Sequence, residues 1–202
     1  MTTKERQFLW GLSFGVAFLA IAGVFWLGLG VSSILKSSTD WHVWSLLTFV
    51  QCGVLGCSIW AAIILRRRSD FTRKDIRQGS ELQRLKERHI RSKFLWITLG
   101  QTLLVVFIVW QCIRMNMLDQ IWPLISLLIS LHFIPLSKLF NVRAYSIAGL
   151  AGSVISLVAI IGLFKPYTLF YLGVCMALVM WLSAVYIFIN ADKITARATQ
   201  DK

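Results

Sequence analysis

The chain has 202 residues, 57% of them hydrophobic and 15% charged. Soluble domains average about 45–50% apolar and about 25% charged, so this excess exceeds what one globular core buries, and a lipid bilayer is the solvent that accommodates it. The formal charge of +12 would suggest nucleic acid on a soluble domain, but eleven of the 21 Lys and Arg lie between Arg66 and Lys93, flanked by apolar stretches. That placement excludes a nucleic-acid surface and favours anionic lipid headgroups.

The first apolar run covers 8–35. It exceeds the roughly 20 residues that a helix needs to cross a bilayer, so it spans with tilt or with an extra turn in the outer interface. Lys4 and Arg6 precede it, and Ala20-Ile21-Ala22 has the form of a leader cleavage site. The apolar run continues well past that site, to Leu35, so the segment reads as a retained span. Span two, 43–65, ends in Arg66-Arg67-Arg68.

The basic segment 66–93 follows. Gly79 interrupts it, and Ser80-Glu81-Leu82-Gln83 has the Ser-x-x-Gln form of a capping box. Glu87 and Arg91 stand four apart in the favourable order for a helix. A helix over 81–93 is therefore predicted to run directly into span three, 94–113. Spans four, five and six follow at 121–137, 144–164 and 167–189. Only Lys165-Pro166 separates the last two, which predicts an antiparallel hairpin with Pro166 in the first turn of the sixth helix. All six segments are read as helices because a helix satisfies its own backbone hydrogen bonds in lipid. Short alternating segments of the barrel type are not visible.

Positive charge is sorted between the polar segments. Eighteen of the 21 Lys and Arg fall in the odd-numbered ones, and the even-numbered ones hold only Lys36, Arg114 and Lys165. Short loops rich in Lys and Arg stay cytoplasmic, so both termini are predicted to face the cytoplasm of a cell inner membrane. Trp10 and Trp96 then fall at cytoplasmic ends, and Trp41, Trp44, Trp110 and Trp122 at outer ends. Interfacial aromatics belong at those depths.

Chemistry-bearing residues are sparse. No Asp or Glu lies inside a span, and His132 is the one histidine that does. It stands three residues before Pro135, which releases the carbonyl of Leu131 within a turn of the imidazole. Ionisable groups within a span are functional candidates, and histidine titrates near neutrality. His132 and Pro135 are thus candidates for a ligand contact or a proton-sensitive switch. Gln101, Thr98 and Thr102 of span three are the expected hydrogen-bond partners. Gly11-Leu12-Ser13-Phe14-Gly15 matches the hydrolase elbow literally, but that chemistry needs a strand-to-helix turn, and Ser13 lies within a helix.

The four cysteines, Cys52, Cys57, Cys112 and Cys175, show no disulfide or zinc spacing. No metal site and no cofactor is expected. Arg66, Arg67, Arg68, Arg73, Lys74, Arg84 and Arg88 are candidates for contact with anionic lipid or a partner. Arg114, Asn116 and Asp119 form an outer cluster that suits the end dipoles of spans three and four. With Asp40 and His42 it could alternatively form an outer ligand site. Small residues recur at four-residue spacing: Gly11 and Gly15; Gly53, Cys57 and Ala61; Ala148, Gly152 and Ser156 beside Gly149 and Ser153. Such positions let helices approach closely in lipid, within one chain or in a homo-oligomer.

The stretch His132-Phe133-Ile134-Pro135-Leu136-Ser137-Lys138-Leu139-Phe140, followed by Tyr145 and Gly149, resembles a segment of small uncharacterised bacterial multi-pass membrane proteins. In that group an H-F-x-P-L run ends one span, and an aromatic residue and a glycine open the next. The resemblance implies a bacterial inner-membrane protein and supplies no active site. The expectation is an all-α bundle of six transmembrane helices in a single membrane domain. Its function is expected to be non-enzymatic, as a small permease-like unit or an accessory subunit. The alternatives are a membrane-embedded enzyme acting on lipid near His132, or a scaffold using the segment 66–93.

Overall fold

The computed structural model describes residues 3–35, 41–69 and 81–200. Among these the chain is all-helical, without strands. The helices are α1 (Thr3–Leu35), α2 (Trp41–Ser69), α3 (Glu81–Arg114), α4 (Ile121–Phe140), α5 (Arg143–Ile160), α6 (Thr168–Ile189) and α7 (Ala191–Gln200). A short 3-10 turn, Leu118–Gln120, leads into α4. Helices α1 to α6 each carry a stretch long and apolar enough to cross a membrane, so the protein is a multi-pass membrane protein. Span and helix limits differ at several ends: α1 begins at Thr3, before 8, and α2 runs to Ser69, past 65. Helix α4 continues through Pro135 to Phe140, and α5 ends at Ile160, short of 164. Pro166 lies outside the sixth helix: Tyr167 caps α6 and Thr168 begins it.

The chain divides into two compact units. The first comprises Met1–Phe71 and Phe164–Lys202, and the second Thr72–Leu163. The boundary between them falls inside the link between α5 and α6, the pair predicted from sequence to be a hairpin.

In the first unit α1 packs against α6, α2 and α7. Its buried face is Leu9, Leu12, Val16, Leu19, Gly23, Trp26 and Gly30, a strict alternation of three- and four-residue steps. Helix α6 presents Gly173, Ala177, Met180, Ala184 and Ile187 with the same repeat. A seven-residue repeat keeps one seam facing its neighbour when helices cross at a shallow angle. The seam is antiparallel. Near one end Gly30 meets Gly173; further along, the Trp181 indole N–H donates to the Ala20 carbonyl at 3.3 Å. Trp181 lies over Gly23, where any side chain would strike the indole. Phe14, Phe18, Ile21 and Phe25 occupy the opposite, exposed face of α1.

In the second unit α4 and α5 form the main contact, and α3 packs against α4. The buried residues of α4 are Pro123, Ser126, Ser130, Phe133 and Leu136. Those of α5 are Ala144, Tyr145, Ala148, Gly149, Gly152, Ser153, Ser156 and Ala159. The two serines Ser126 and Ser156 share a buried hydrogen bond of 2.7 Å between their hydroxyls. A β-carbon on Gly149 would lie 2.7 Å from the Ser130 carbonyl oxygen, so only glycine permits this approach. Ile147, Leu150, Val154 and Leu157 face outward on α5. The polar and small face is therefore inside and the branched apolar face outside, as packing in lipid favours.

Three helix ends are closed by a residue in the left-handed region: Asn116 (φ 56°), Asn141 (φ 55°) and Gly162 (φ 82°). After Asn116, the Met117 N–H donates to the Cys112 carbonyl at 2.8 Å. After Asn141, Val142 donates to Ser137 at 3.1 Å, and after Gly162, Leu163 donates to Val158 at 3.2 Å. Each bond satisfies a carbonyl that the helix end leaves without a partner, the geometry of a Schellman cap. Asn and Gly are the residues that reach this conformation at least cost.

Candidate functional site

The sequence points to two places, one in each unit. The first surrounds His132 on α4. The imidazole is half-buried, while Phe133 beside it is buried and stacks on Tyr145 with ring centroids 6.0 Å apart. Pro135 is exposed. On α3, the Thr102 hydroxyl donates to the Thr98 carbonyl at 3.0 Å. The Thr98 hydroxyl is buried without a partner, and Gln101 is half-buried. The hydrogen bonds expected from His132 to Gln101, Thr98 or Thr102 are not formed among the described residues. Span three thus supplies nearby polarity on the helix that packs against α4, but no fixed ligand-binding constellation.

Several hydroxyls inside the spans bond to carbonyls of their own helices. Ser13 donates to the Trp10 carbonyl at 2.7 Å, Ser153 to Gly149 at 2.7 Å, and Ser183 to Val179 at 2.7 Å. Ser13 sits within α1, so the elbow geometry is absent. No group of three or more His, Cys, Asp or Glu among the described residues is arranged to hold a metal. Cys52 and Cys57 are exposed and Cys112 is buried, all as free thiols.

The second place is the basic end of the first unit. Arg66, Arg67 and Arg68 close the last turn of α2 and are all exposed. Positive side chains there complement the partial negative charge of the helix C-terminus. The buried residues of the same turn are Leu65 and Ser69, and the Ser69 hydroxyl donates to the Arg66 carbonyl at 2.6 Å. Arg68 Nη1 stands 4.0 Å from Asp192 Oδ2. Asp192 belongs to α7, a helix that the sequence analysis did not predict. Helix α7 buries Ala191 and Thr195, one turn apart, and exposes Asp192 and Lys193. A cleft of about 200 Å³ lies beside it, lined by Glu5, Asp192, Thr195 and Ala196. The start of α1, the end of α2 and the segment after α6 therefore meet at one end of this unit. Three of the segments rich in Lys and Arg begin or end there.

The remaining basic candidates are placed only in part. Arg84 and Arg88 lie on α3, their side chains outside the described set, and Arg73 and Lys74 lie outside the described residues. The proposed Ser80 cap is also outside them, while α3 begins at Glu81. In the cluster predicted from sequence to face outward, Arg114 lies over the Trp110 ring at 5.6 Å from its centroid, a cation–π contact within its own helix. Asp119 lies in the 3-10 turn before α4, Asp40 is outside the described residues, and the His42 side chain is undescribed.

The small-residue stripes separate by role. Those of α5 are buried against α4. Gly11 and Gly53 have open space where a β-carbon would stand, and the close approach in the first unit uses Gly30 and Gly173. No protein-family model, curated protein or solved structure matches this chain.

Proposed function

We propose that this chain is a non-enzymatic accessory subunit of a bacterial inner membrane, with both termini and the segment 66–93 in the cytoplasm, and that its basic end holds anionic lipid headgroups. The observation that carries the reading is the exposed run Arg66-Arg67-Arg68 at the helix end where α1 begins and α7 docks. A guanidinium matches phosphate oxygens with paired N–H donors and is weakly hydrated, which suits a headgroup contact. The non-enzymatic part is supported by the hydroxyls that bond to their own helices. It is also supported by His132, which has no second polar side chain bonded to it among the described residues.

The test is the partition of headgroup-labelled phosphatidylglycerol onto the purified protein in phosphatidylcholine nanodiscs. Replacing Arg66, Arg67 and Arg68 together by Gln should weaken that partition by up to about 3 kcal/mol, roughly a hundredfold, at about 1 kcal/mol per basic residue near the surface. His132→Ala should leave it unchanged. Equal partition onto wild type and the triple variant would overturn the reading, as would a fusion reporter placing segment 66–93 outside the cytoplasm.

A further inference from the structure

Independently of the basic end, we infer that the second unit is seated in the bilayer by two of its turns, so that Met115, Met117, Leu118, Ile161 and Leu163 rest in lipid at the membrane interface and not in water. The first three lie between α3 and α4, and the other two just past α5. Both turns stand at one end of the unit. Helices α4 and α5 run antiparallel, with Gly149 against Ser130 and Ser126 bonded to Ser156, so the end of α5 lies beside the start of α4. The five side chains are between 48% and 70% exposed. Clustered apolar exposure of this kind marks a contact with membrane or protein.

Helix length selects lipid as that contact. Helix α5 has 18 residues, so it rises about 27 Å, and it starts at a charged residue, Arg143. The hydrocarbon layer is about 30 Å thick, and any tilt of the helix shortens its reach further. A layer that begins near Arg143 therefore ends beyond Ile160, at the level of Ile161 and Leu163.

Backbone bonding permits the same placement. Irregular chain enters lipid only where its polar groups are satisfied from within. The Met115 N–H donates to the Gln111 carbonyl at 2.9 Å, Asn116 to Ile113 at 3.2 Å, and Met117 to Cys112 at 2.8 Å. Past α5, Ile161 donates to Leu157 at 3.0 Å, Gly162 to Ala159 at 3.1 Å, and Leu163 to Val158 at 3.2 Å. All six N–H groups are thus bonded to the helix they follow, and none needs water. Arg114, the cation of the first turn, lies over the Trp110 ring, and indole rings belong at the interface.

The experiment is methionine oxidation by periodate, a charged oxidant that stays in water, on the full-length protein in phosphatidylcholine nanodiscs, read by mass spectrometry. A second arm uses phosphatidylcholine carrying a diazirine in its acyl chain and maps the lipid adducts after illumination. Burial of one methionine side chain is favourable enough that Met115 and Met117 should oxidise at least about tenfold more slowly than a methionyl peptide in the same buffer. Met176 and Met180, both 0% exposed in the first unit, set the slow limit. Lipid adducts should map to both turns, 115–118 and 161–163. Oxidation of Met115 and Met117 at the peptide's rate would overturn the inference, because the turns would then stand in water. Slow oxidation with adducts missing from either turn would overturn it as well, because that turn would then be covered by protein, a second copy included.

Discussion

Gly30 and Gly173 touch through their backbones. A β-carbon on Gly173 would lie 2.6 Å from the Gly30 Cα and 2.5 Å from the Trp26 carbonyl oxygen. Both obstacles are main chain, so neither can swing aside. In lipid the tails are as apolar as the helices, and association rests on this kind of close fit rather than on transfer from water.

Gly173→Ala should therefore force α1 and α6 apart and lower stability by about 1–3 kcal/mol, the usual cost of overpacking. Gly53→Ala should change stability by no more than about 0.5 kcal/mol, because a β-carbon there meets nothing within 4 Å. Thermal unfolding in detergent, with tryptophan fluorescence as the readout, compares the two. Buried Trp26 sits on the affected seam.

The Ser126–Ser156 bond joins α4 to α5 at 2.7 Å in a buried setting. Interhelical side-chain bonds in membranes average about 0.6 kcal/mol and reach about 1.7 kcal/mol. A double-mutant cycle of Ser126→Ala and Ser156→Ala should give a coupling in that range. Ser156 also donates to the Gly152 carbonyl at 2.7 Å, which keeps its hydroxyl satisfied when Ser126 is removed and holds the coupling small. A coupling indistinguishable from zero would mean the cross-helix contact adds nothing.

Gly162 adopts φ 82° at the end of α5. Gly162→Ala should cost about 1–2 kcal/mol, the penalty of the left-handed region for a residue with a β-carbon. Asn141→Gly, at φ 55°, should be neutral or mildly stabilising by the same argument. Chemical denaturation midpoints of the two variants should move in opposite directions or leave Asn141→Gly unmoved.

Adjacent residues on α4 should respond differently. Phe133 is 2% exposed and stacks on Tyr145, so Phe133→Ala leaves a cavity and should cost about 1–3 kcal/mol, less than in a soluble core because the transfer from water is missing. His132 is half-buried and unbonded among the described residues, so His132→Ala should cost under about 1 kcal/mol. Equal losses would show that His132 has a structural partner.

The spans were legible because length and unbroken apolarity are properties of the segment alone. The left-handed caps at Asn116, Asn141 and Gly162 were not read from the sequence, which placed Asn116 in a predicted outer cluster and gave the other two no role. The polar stripe of α5 could be read because Gly149, Gly152, Ser153 and Ser156 differ in size and polarity from their neighbours. Gly173 and Ala177 do stand four apart, but Gly30 has no small residue four positions away, and the Gly30–Gly173 contact went unread. Helix α7 was missed because its ten residues are polar overall and its buried pair, Ala191 and Thr195, carries little hydrophobic signal. The basic cluster was legible as charge, while its pairing with Asp192 joins residues 124 positions apart and needed the fold.

Sequence by itself determined that six segments enter a bilayer as helices and how positive charge is divided among the polar segments between them. Those are costs of solvation, borne by each residue independently. Only the tertiary structure decided which face of each helix is inside. In a soluble helix the buried face is the apolar one, but Leu9 and Phe14 of α1 are both apolar, and one is buried while the other is exposed. When every face is compatible with lipid, shape and not hydrophobicity selects the interface, and shape is a property of two helices together.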